Sequence, residues 1–294
     1  MRITQRAVTL TSLQGLNRNL DAFAKLQNQL TSGRVINKPS DSPTGANRAM
    51  QTRSELASNA QQARNISDAT GWLEQADTTL RQMLDTVRRV RDLTVQGLNT
   101  GSSSASSQEA LAIEVASLRE GLLGLANTKV QGRPVFGGVT AGTDAYDANG
   151  TFVGIPDTEV NRRISDSEVL RVDVTGPEAF GDGAGNLFAV VDRIAASLRA
   201  SDADALTVDL SDLDALTEGM RTAVADVGSR ASRLERVDLI NSDRALTLQS
   251  QLAQVENIDL PNTIMKVQMQ QVGYEAALAA TAKALSPTLL DYLR

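Results

Sequence analysis

The side chains that could do chemistry are few. The 294 residues contain no Cys and no His. That removes thiolate nucleophiles, disulfides, zinc sites built on those ligands and the side chain best suited to proton transfer near neutral pH. Carboxylates remain. Asp202, Asp204, Asp209, Asp212 and Asp214 crowd one stretch and could ligate a hard cation, but carboxylates so placed more simply cap and solvate the start of a helix. Asp144, Asp147 and Asn149-Gly150 suggest a calcium loop. Aligning such a loop on the Asn-Gly pair puts Ala145 at the first ligand position and Pro156 where a bidentate Glu belongs, so a solvated turn is expected. Gly181-Asp182-Gly183-Ala184-Gly185 precedes a helical pattern. Its spacing is wrong for a phosphate-cradling glycine loop and no βαβ unit surrounds it, so it reads as a flexible linker. No catalytic residue, cofactor or metal is expected.

Charge narrows the partners. A net charge of −6 and a pI near 4.9 argue against nucleic acid, where a basic footprint supplies most of the affinity. Arg2, Arg6, Arg18, Lys25, Arg34 and Lys38 make the N-terminus basic, but no aromatics interleave them. They read as a polar helix face or as inter-subunit pairing. No segment reaches the roughly 20 apolar residues needed to span a bilayer, so no membrane insertion is expected. The first 20 residues lack a continuous apolar stretch and a small-residue cleavage site, so an ordinary signal peptide is not expected either.

The elements that must position these residues are helical. Aromatics are only 3% of the chain, so cores must be built from Leu, Val, Ile and Ala. Leu13, Leu16, Leu20, Phe23 and Leu30 step by three and four, with Gln27 in the remaining slot and Leu26 widening the stripe. Gly33 is placed to cap that helix, and Ser42-Pro43 to start the next. Ile66, Ala69, Leu73, Ala76, Leu80, Met83, Val87 and Val90 keep heptad spacing without a break. A helix from Pro43 to Leu98 would run roughly 80 Å at 1.5 Å per residue. Leu111, Val115, Leu118, Leu122 and Leu125 continue the pattern after a Gly-Ser loop.

From about Ala126 the pattern turns to glycine-rich turns and short alternating stretches. Tyr146–Phe152 reads as a hairpin around Asn149-Gly150, and Val169–Val174 as a strand. This insert carries about nine acidic residues against three Arg between Gly137 and Phe188. Helical spacing returns at Leu187–Leu198 and again through Leu210, Leu213, Met220, Val224, Val227, Ala231 and Leu234. Asp238 and Asn241 interrupt it before Ala245, Leu248, Leu252 and Val255 resume. The last helix begins near Pro261 and puts Ile264, Val267, Tyr274, Leu278 and Leu285 on one seam, with Ala276, Ala277, Ala279, Ala280, Ala282 and Ala284 forming a small-residue face. The expected fold is mainly α, a long antiparallel coiled-coil bundle of N- and C-terminal segments with a small β-rich insert mid-chain. The expected domains are 1–38 with 258–294 (terminal coiled coil), 39–130 with 188–257 (helical rod) and 131–187 (outer β-rich insert). Terminal helices of this length are marginal alone, so they are expected to become fully ordered only when neighbouring subunits cover them.

Four patches resemble one family. Leu30–Ala46, containing Gly33, Ile36, Asn37, Asp41, Pro43 and Gly45, is similar to the N-terminal signature shared by flagellins and hook-associated proteins. Leu125–Gly138, with Asn127, Gly132 and Phe136, resembles that family's helix-to-hairpin turn. Val227–Glu235, with Gly228 and Arg230, resembles its returning-helix motif. Ala279–Leu293 resembles its C-terminal signature. The opening Met1-Arg2-Ile3-Thr4, the short insert and the ending Leu289-Leu290-Asp291-Tyr292-Leu293 look more like the hook-associated members than filament flagellin. Ser40–Gly45 stands where flagellins carry Asp-Asp-Ala-Ala-Gly.

The resemblance implies a structural, non-enzymatic subunit, exported by the flagellar type III route with a cytosolic chaperone to the extracellular flagellum. It implies a homo-oligomeric ring between the first hook-associated junction protein and flagellin. The expected assembly interface is Leu13, Leu16, Leu20, Phe23, Leu30, Ile264, Val267, Tyr274, Leu278, Leu285, Leu289, Leu290 and Leu293. Gly33, Ile36, Asn37, Asp41, Pro43, Gly132, Phe136, Gly228 and Arg230 are expected at the family's turns. Filament flagellin is the alternative expectation, and an extracellular enzyme on a flagellin scaffold a remote one.

Overall fold

The structure is a computed structural model. It describes residues 2–99, 104–140, 142, 144–155 and 158–285. The helices in chain order are α1 (Arg2–Ser32), α2 (Pro43–Leu98), α3 (Ala105–Ala126), the short α4 (Gly176–Phe180), α5 (Leu187–Ala200), α6 (Ala203–Glu256) and α7 (Leu260–Leu285). Between α3 and α4 lie β1 (Lys129–Val130), β2 (Arg133–Pro134), β3 (Asn161–Arg163) and β4 (Val169–Arg171). β1 pairs antiparallel with β2, and β3 with β4, in register Arg162 opposite Leu170. The chain divides into two compact units, Met1–Ser58 with Arg244–Arg294, and Asn59–Asp243.

In the unit Asn59–Asp243 the apolar heptads form the core. All eight of the α2 positions from Ile66 to Val90 are buried. They meet Leu111, Ala112, Val115 and Leu122 of α3, Leu187–Leu198 of α5, and Leu206, Leu213, Met220, Val227 and Leu234 of α6. The α6 residues recur every seven, the repeat that keeps one face toward a neighbouring helix. Ion pairs cross each helix boundary at the rim: Arg89–Glu114 (2.6 Å), Arg119–Asp192 (2.8 Å), Arg193–Asp209 (2.9 Å) and Arg91–Asp214 (2.7 Å). Gly97 lets α5 come close, because a Cβ there would sit 2.2 Å from Leu198 Cδ2.

Two expectations change here. Asn241 does not interrupt the seam. It stands seven residues after Leu234, is buried, and exchanges bonds with Asn59: each side-chain amide donates to the other's main-chain carbonyl, at 3.0 and 3.3 Å. The seam therefore continues through α6, with a buried polar layer at Asn241 where an interruption was expected. The carboxylates Asp202–Asp214 are also only partly helix-start groups. Asp202 does accept from Ala205 N at 3.0 Å, but Asp209 and Asp212 grip Arg193, and Asp214 grips Arg91.

The insert is organised around aromatics. Phe136, Tyr146, Phe152, Phe180 and Phe188 form one cluster, with ring centroids 4.9–6.3 Å apart in edge and tilted contacts. Phe188 lies in the first turn of α5, so the insert shares its core with the helices. Asn127, at the end of α3, accepts from Ala145 N and Tyr146 N and donates to Tyr146 O. Tyr146 bridges Phe152 as the expected hairpin, and Asp147 closes it by accepting from Asn149 N and Thr151 N. Gly150 has φ +79, and a side chain there would also run into Phe188. Strand β4 covers only the first half of the expected Val169–Val174 strand. The glycine-rich Gly181–Gly185 is not a loose linker: Asp182 caps a 3-10 turn over Gly183–Gly185.

Candidate self-assembly surfaces

The terminal helices belong to one unit, and α1 packs against α7. They run antiparallel: Ile258 N donates to Gly33 O at one end, and Gln270 Nε2 donates to Asn19 O further along. Among the half-buried residues of α1, Thr9, Ser12, Leu16, Asn19, Phe23, Leu26 and Leu30 alternate by three and four, and Gly15, Ala22 and Gln29 flank that row. Their counterparts on α7 are Thr263, Val267, Gln270, Tyr274, Ala277 and Thr281. The seam inside one molecule is thus rich in hydroxyls and amides.

The apolar periodicity read from the sequence splits in two. Leu16, Phe23, Leu30, Val267 and Tyr274 face the seam, whereas Leu13, Leu20, Ile264 and Leu278 are exposed beside it. The physical reason is width. The apolar stripe of each helix is broader than one partner helix can cover. Leu285 ends α7. Leu289, Leu290 and Leu293 lie outside the described residues. Sequence reasoning missed Met265, Met269 and Val272, which are also exposed on α7. Their spacing of four and three was the available signal, masked by attention to the Leu and Ile positions.

Both breaks in the helices are stitched together. Gly33, with φ +69, ends α1. Arg34 bridges Asn257, Val35 N donates to Glu256 O at 2.7 Å, and Gln29 Nε2 donates to Val35 O. Glu256 is buried and receives Arg53 at 2.6 Å and Arg34 at 3.8 Å. Asp41 organises the turn that follows. Lys25 approaches it at 3.0 Å, and the amides of Lys38 and Asn37 donate to its carboxylate. Together they hold its carboxyl below the ordinary range, with the Lys25 bond the largest influence. Asn37 Nδ2 also donates to Arg34 O. Ile36 packs on Gly45, where a Cβ would come within 2.6 Å of Ile36 Cδ1. Ser42 Oγ accepts from Gly45 N at 3.2 Å, and Pro43 opens α2.

The remaining motif residues lie elsewhere. Gln131 (φ +51) and Gly132 (φ +81) make the two-residue turn between β1 and β2, the left-handed pair such a hairpin requires. Phe136 is fully buried in the aromatic cluster. Gly228 and Arg230 are not at a turn; both lie inside α6. Arg230 pairs with Asp226 and donates to Asp173 O at 2.7 Å, so it clamps the insert to the helix. Within the insert, Arg171 bridges Glu178 (2.7 Å) and Asp173 (3.0 Å), and these partners hold its guanidinium firmly protonated.

Terminal helices paired across the whole chain, a heptad-built bundle and a short insert mid-chain define a flagellin-type subunit. Comparison with known proteins agrees. Residues 3–141 match the bacterial flagellin N-terminal helical region. The flagellar hook-associated protein 3 of Escherichia coli is 26% identical over 305 residues, covering 95% of this chain and 96% of that one. Flagellin of Bacillus subtilis is 27% identical over 151 residues, covering 51% of this chain and 50% of its own. The crystal structure of FlgL from Bacillus cereus superposes with a TM-score of 0.60 at 25% identity, covering 69% of this chain and 99% of that chain. The chain is thus similar to flagellin-family proteins, and its similarity to hook-associated protein 3 runs from end to end.

Proposed function

We infer that this protein is a structural subunit of the bacterial flagellum that polymerises at the junction between hook and filament. One observation carries the reading: similarity to hook-associated protein 3 spans 95% of the chain, whereas similarity to a filament flagellin spans about half. The physics of the molecule supports it. The terminal helices form an antiparallel pair with a mixed polar and apolar seam and further apolar side chains left outside it. Such a pair gains from neighbours that cover it. Its buried apolar side chains pack the helices together, ion pairs at the rim tie neighbouring helices, and Arg230 holds the insert to α6, which suits a mechanical role. Helices lying along the assembly axis would carry torque from a flexible hook to a stiff filament.

In this reading the subunits form a ring of identical copies, contacting the first hook-associated protein on one side and flagellin on the other. Export is by the flagellar type III route with a cytosolic chaperone, and no described helix is long and apolar enough to cross a membrane. A strain lacking this protein tests the assignment. It is expected to build hooks without attached filaments and to shed flagellin into the medium; normal filament growth rejects the junction role. Copy number separates the junction reading from a filament role, because a ring needs few copies per flagellum and a filament very many.

A further inference from the structure

The chain has no Cys, so its only sulfur is in six methionine thioethers. The described residues contain five of them, in two groups. Met83 on α2 and Met220 on α6 are fully buried in the core of the unit Asn59–Asp243. Met50, Met265 and Met269 lie in the other unit, with 56%, 58% and 73% of their surface open. Exposure decides the reactivity of a thioether, because an oxidant must reach the sulfur lone pair. Surroundings decide the consequence. Met50 shares a hollow with Arg34, Lys38 and Arg53, where a new polar oxygen would face cations. Met265 and Met269 are four residues apart on α7, so they stand one turn apart on the same side of the helix. Val272, Ala276 and Ala279 continue that row and are exposed as well, and none of the five carries a charge.

We propose that Met265 and Met269 form a reversible oxidation site, at which peroxide turns the apolar row of α7 polar and stops the free subunit from assembling. The last step rests on the self-assembling reading above; the site itself does not. In the reaction each sulfur gives two electrons to hydrogen peroxide. An S–O bond forms, the peroxide O–O bond breaks, and water leaves. The product, methionine sulfoxide, is polar and chiral where the thioether was apolar and flexible, and it disrupts Met-rich contacts. Methionine sulfoxide reductases reverse the change. Two thiols supply the electrons, become a disulfide, and the oxygen departs as water. Met83 and Met220 can react only when the bundle opens, so oxidation of the free subunit leaves the main core intact. The pairing of Met265 with Met269 sets the size of the effect. Two sulfoxides one turn apart place strong acceptors in a row that otherwise offers only methyl and methylene groups. Any apolar cover laid on that row must then bury them without partners, which is costly.

Three measurements on the full-length protein test this. Hydrogen peroxide is added and the mass gain at each methionine is followed by peptide mapping. Met269 and Met265 are expected to oxidise more than about tenfold faster than Met83 and Met220, whose reaction waits on opening of the fold. Equal rates overturn the proposal. Retention on a phenyl column reads the surface. Oxidised protein should elute earlier, and reductase treatment should restore its position. The double variant Met265→Leu, Met269→Leu, checked for native helicity by circular dichroism, should not shift with peroxide. A variant that shifts as far as the wild type overturns the proposal, because another methionine would then carry the change. Binding of purified protein to hooks isolated from the deletion strain reads assembly. Oxidised protein is expected to bind several-fold less than untreated protein. Reductase treatment should restore binding, and the double variant should bind with or without peroxide. Undiminished binding of the oxidised wild type overturns the proposal. The junction reading fails in a different way: untreated protein would not bind hooks, while mapping and retention would still show the oxidation site.

Discussion

Single residues explain where this chain is ordered and where it is strained. Phe136 has no solvent exposure and touches Phe180 at a centroid distance of 5.0 Å, so it links the β1–β2 hairpin to α4. Phe136→Ala should cost about 3–5 kcal/mol, read as a shift in the urea midpoint. The Asn59–Asn241 layer behaves differently. Asn59 Oδ1 is buried and unpartnered, so the layer sets register at some cost in stability. The double change Asn59→Leu, Asn241→Leu should raise stability by about 1–2 kcal/mol while broadening the α2–α6 register. Denaturation and amide exchange together check both halves of that expectation; a loss of stability would contradict it. Asp41 gives a pH dependence with a definite sign. Its carboxyl is depressed below its ordinary 3.8 by Lys25 and by the Lys38 and Asn37 amides. A depressed acid contributes stability above its unfolded value and loses it as pH falls through the folded one. The 33–42 turn should therefore loosen only below about pH 4, and Asp41→Asn should remove that acid step. Amide exchange of the turn with pH is the measurement.

At the scale of elements, the two kinds of helix behave by different rules. The α2 and α6 heptads bury Leu, Met and Val on several partners, so their helicity comes from tertiary packing. The terminal pair has one partner each and a mixed seam, in which Thr, Ser, Asn and Gln alternate with Leu, Phe and Val. Its helicity should be lower in the free molecule than in the assembled state. Circular dichroism of the full chain against a form trimmed of both ends checks this. A loss of signal equal to that of fully formed helices would count against it. Removing residues 280–294 should abolish incorporation into flagella while the thermal transition of the central helices stays in place. Retained incorporation would show that the end of α7 is dispensable.

For the whole molecule, the chain's economy is that its two ends, far apart in sequence, meet as one antiparallel pair. Gly33–Val35 and Glu256–Ile258 are joined by main-chain bonds, and Arg34 and Arg53 converge on the buried Glu256. Glu256→Gln keeps the shape but removes the charge both arginines answer. Breaking a buried pair from one side costs about 3–5 kcal/mol, less here because both arginines are half open to water. Differential scanning calorimetry should show a lowered transition for the unit that contains the termini, with the other unit's transition unchanged.

The sequence by itself determined where the long helices lie, the turn between α1 and α2, and most of the apolar residues of the main core. Heptad spacing, Gly33, Ser42-Pro43 and the Asn149-Gly150 turn are local signals, and local backbone sterics enforce them. It also determined that thiol and imidazole side chains are lacking, since the chain has no Cys and no His. Only the tertiary structure decided which apolar residues are used internally. Leu16 and Leu20 look alike in the sequence, yet one faces α7 and the other water, because a partner helix covers a narrower arc than the apolar stripe offers. Asn241 likewise read as a break until Asn59, 182 residues away, was seen to satisfy it. A buried polar group is costly or harmless according to its partner, and the fold alone brings that partner within reach.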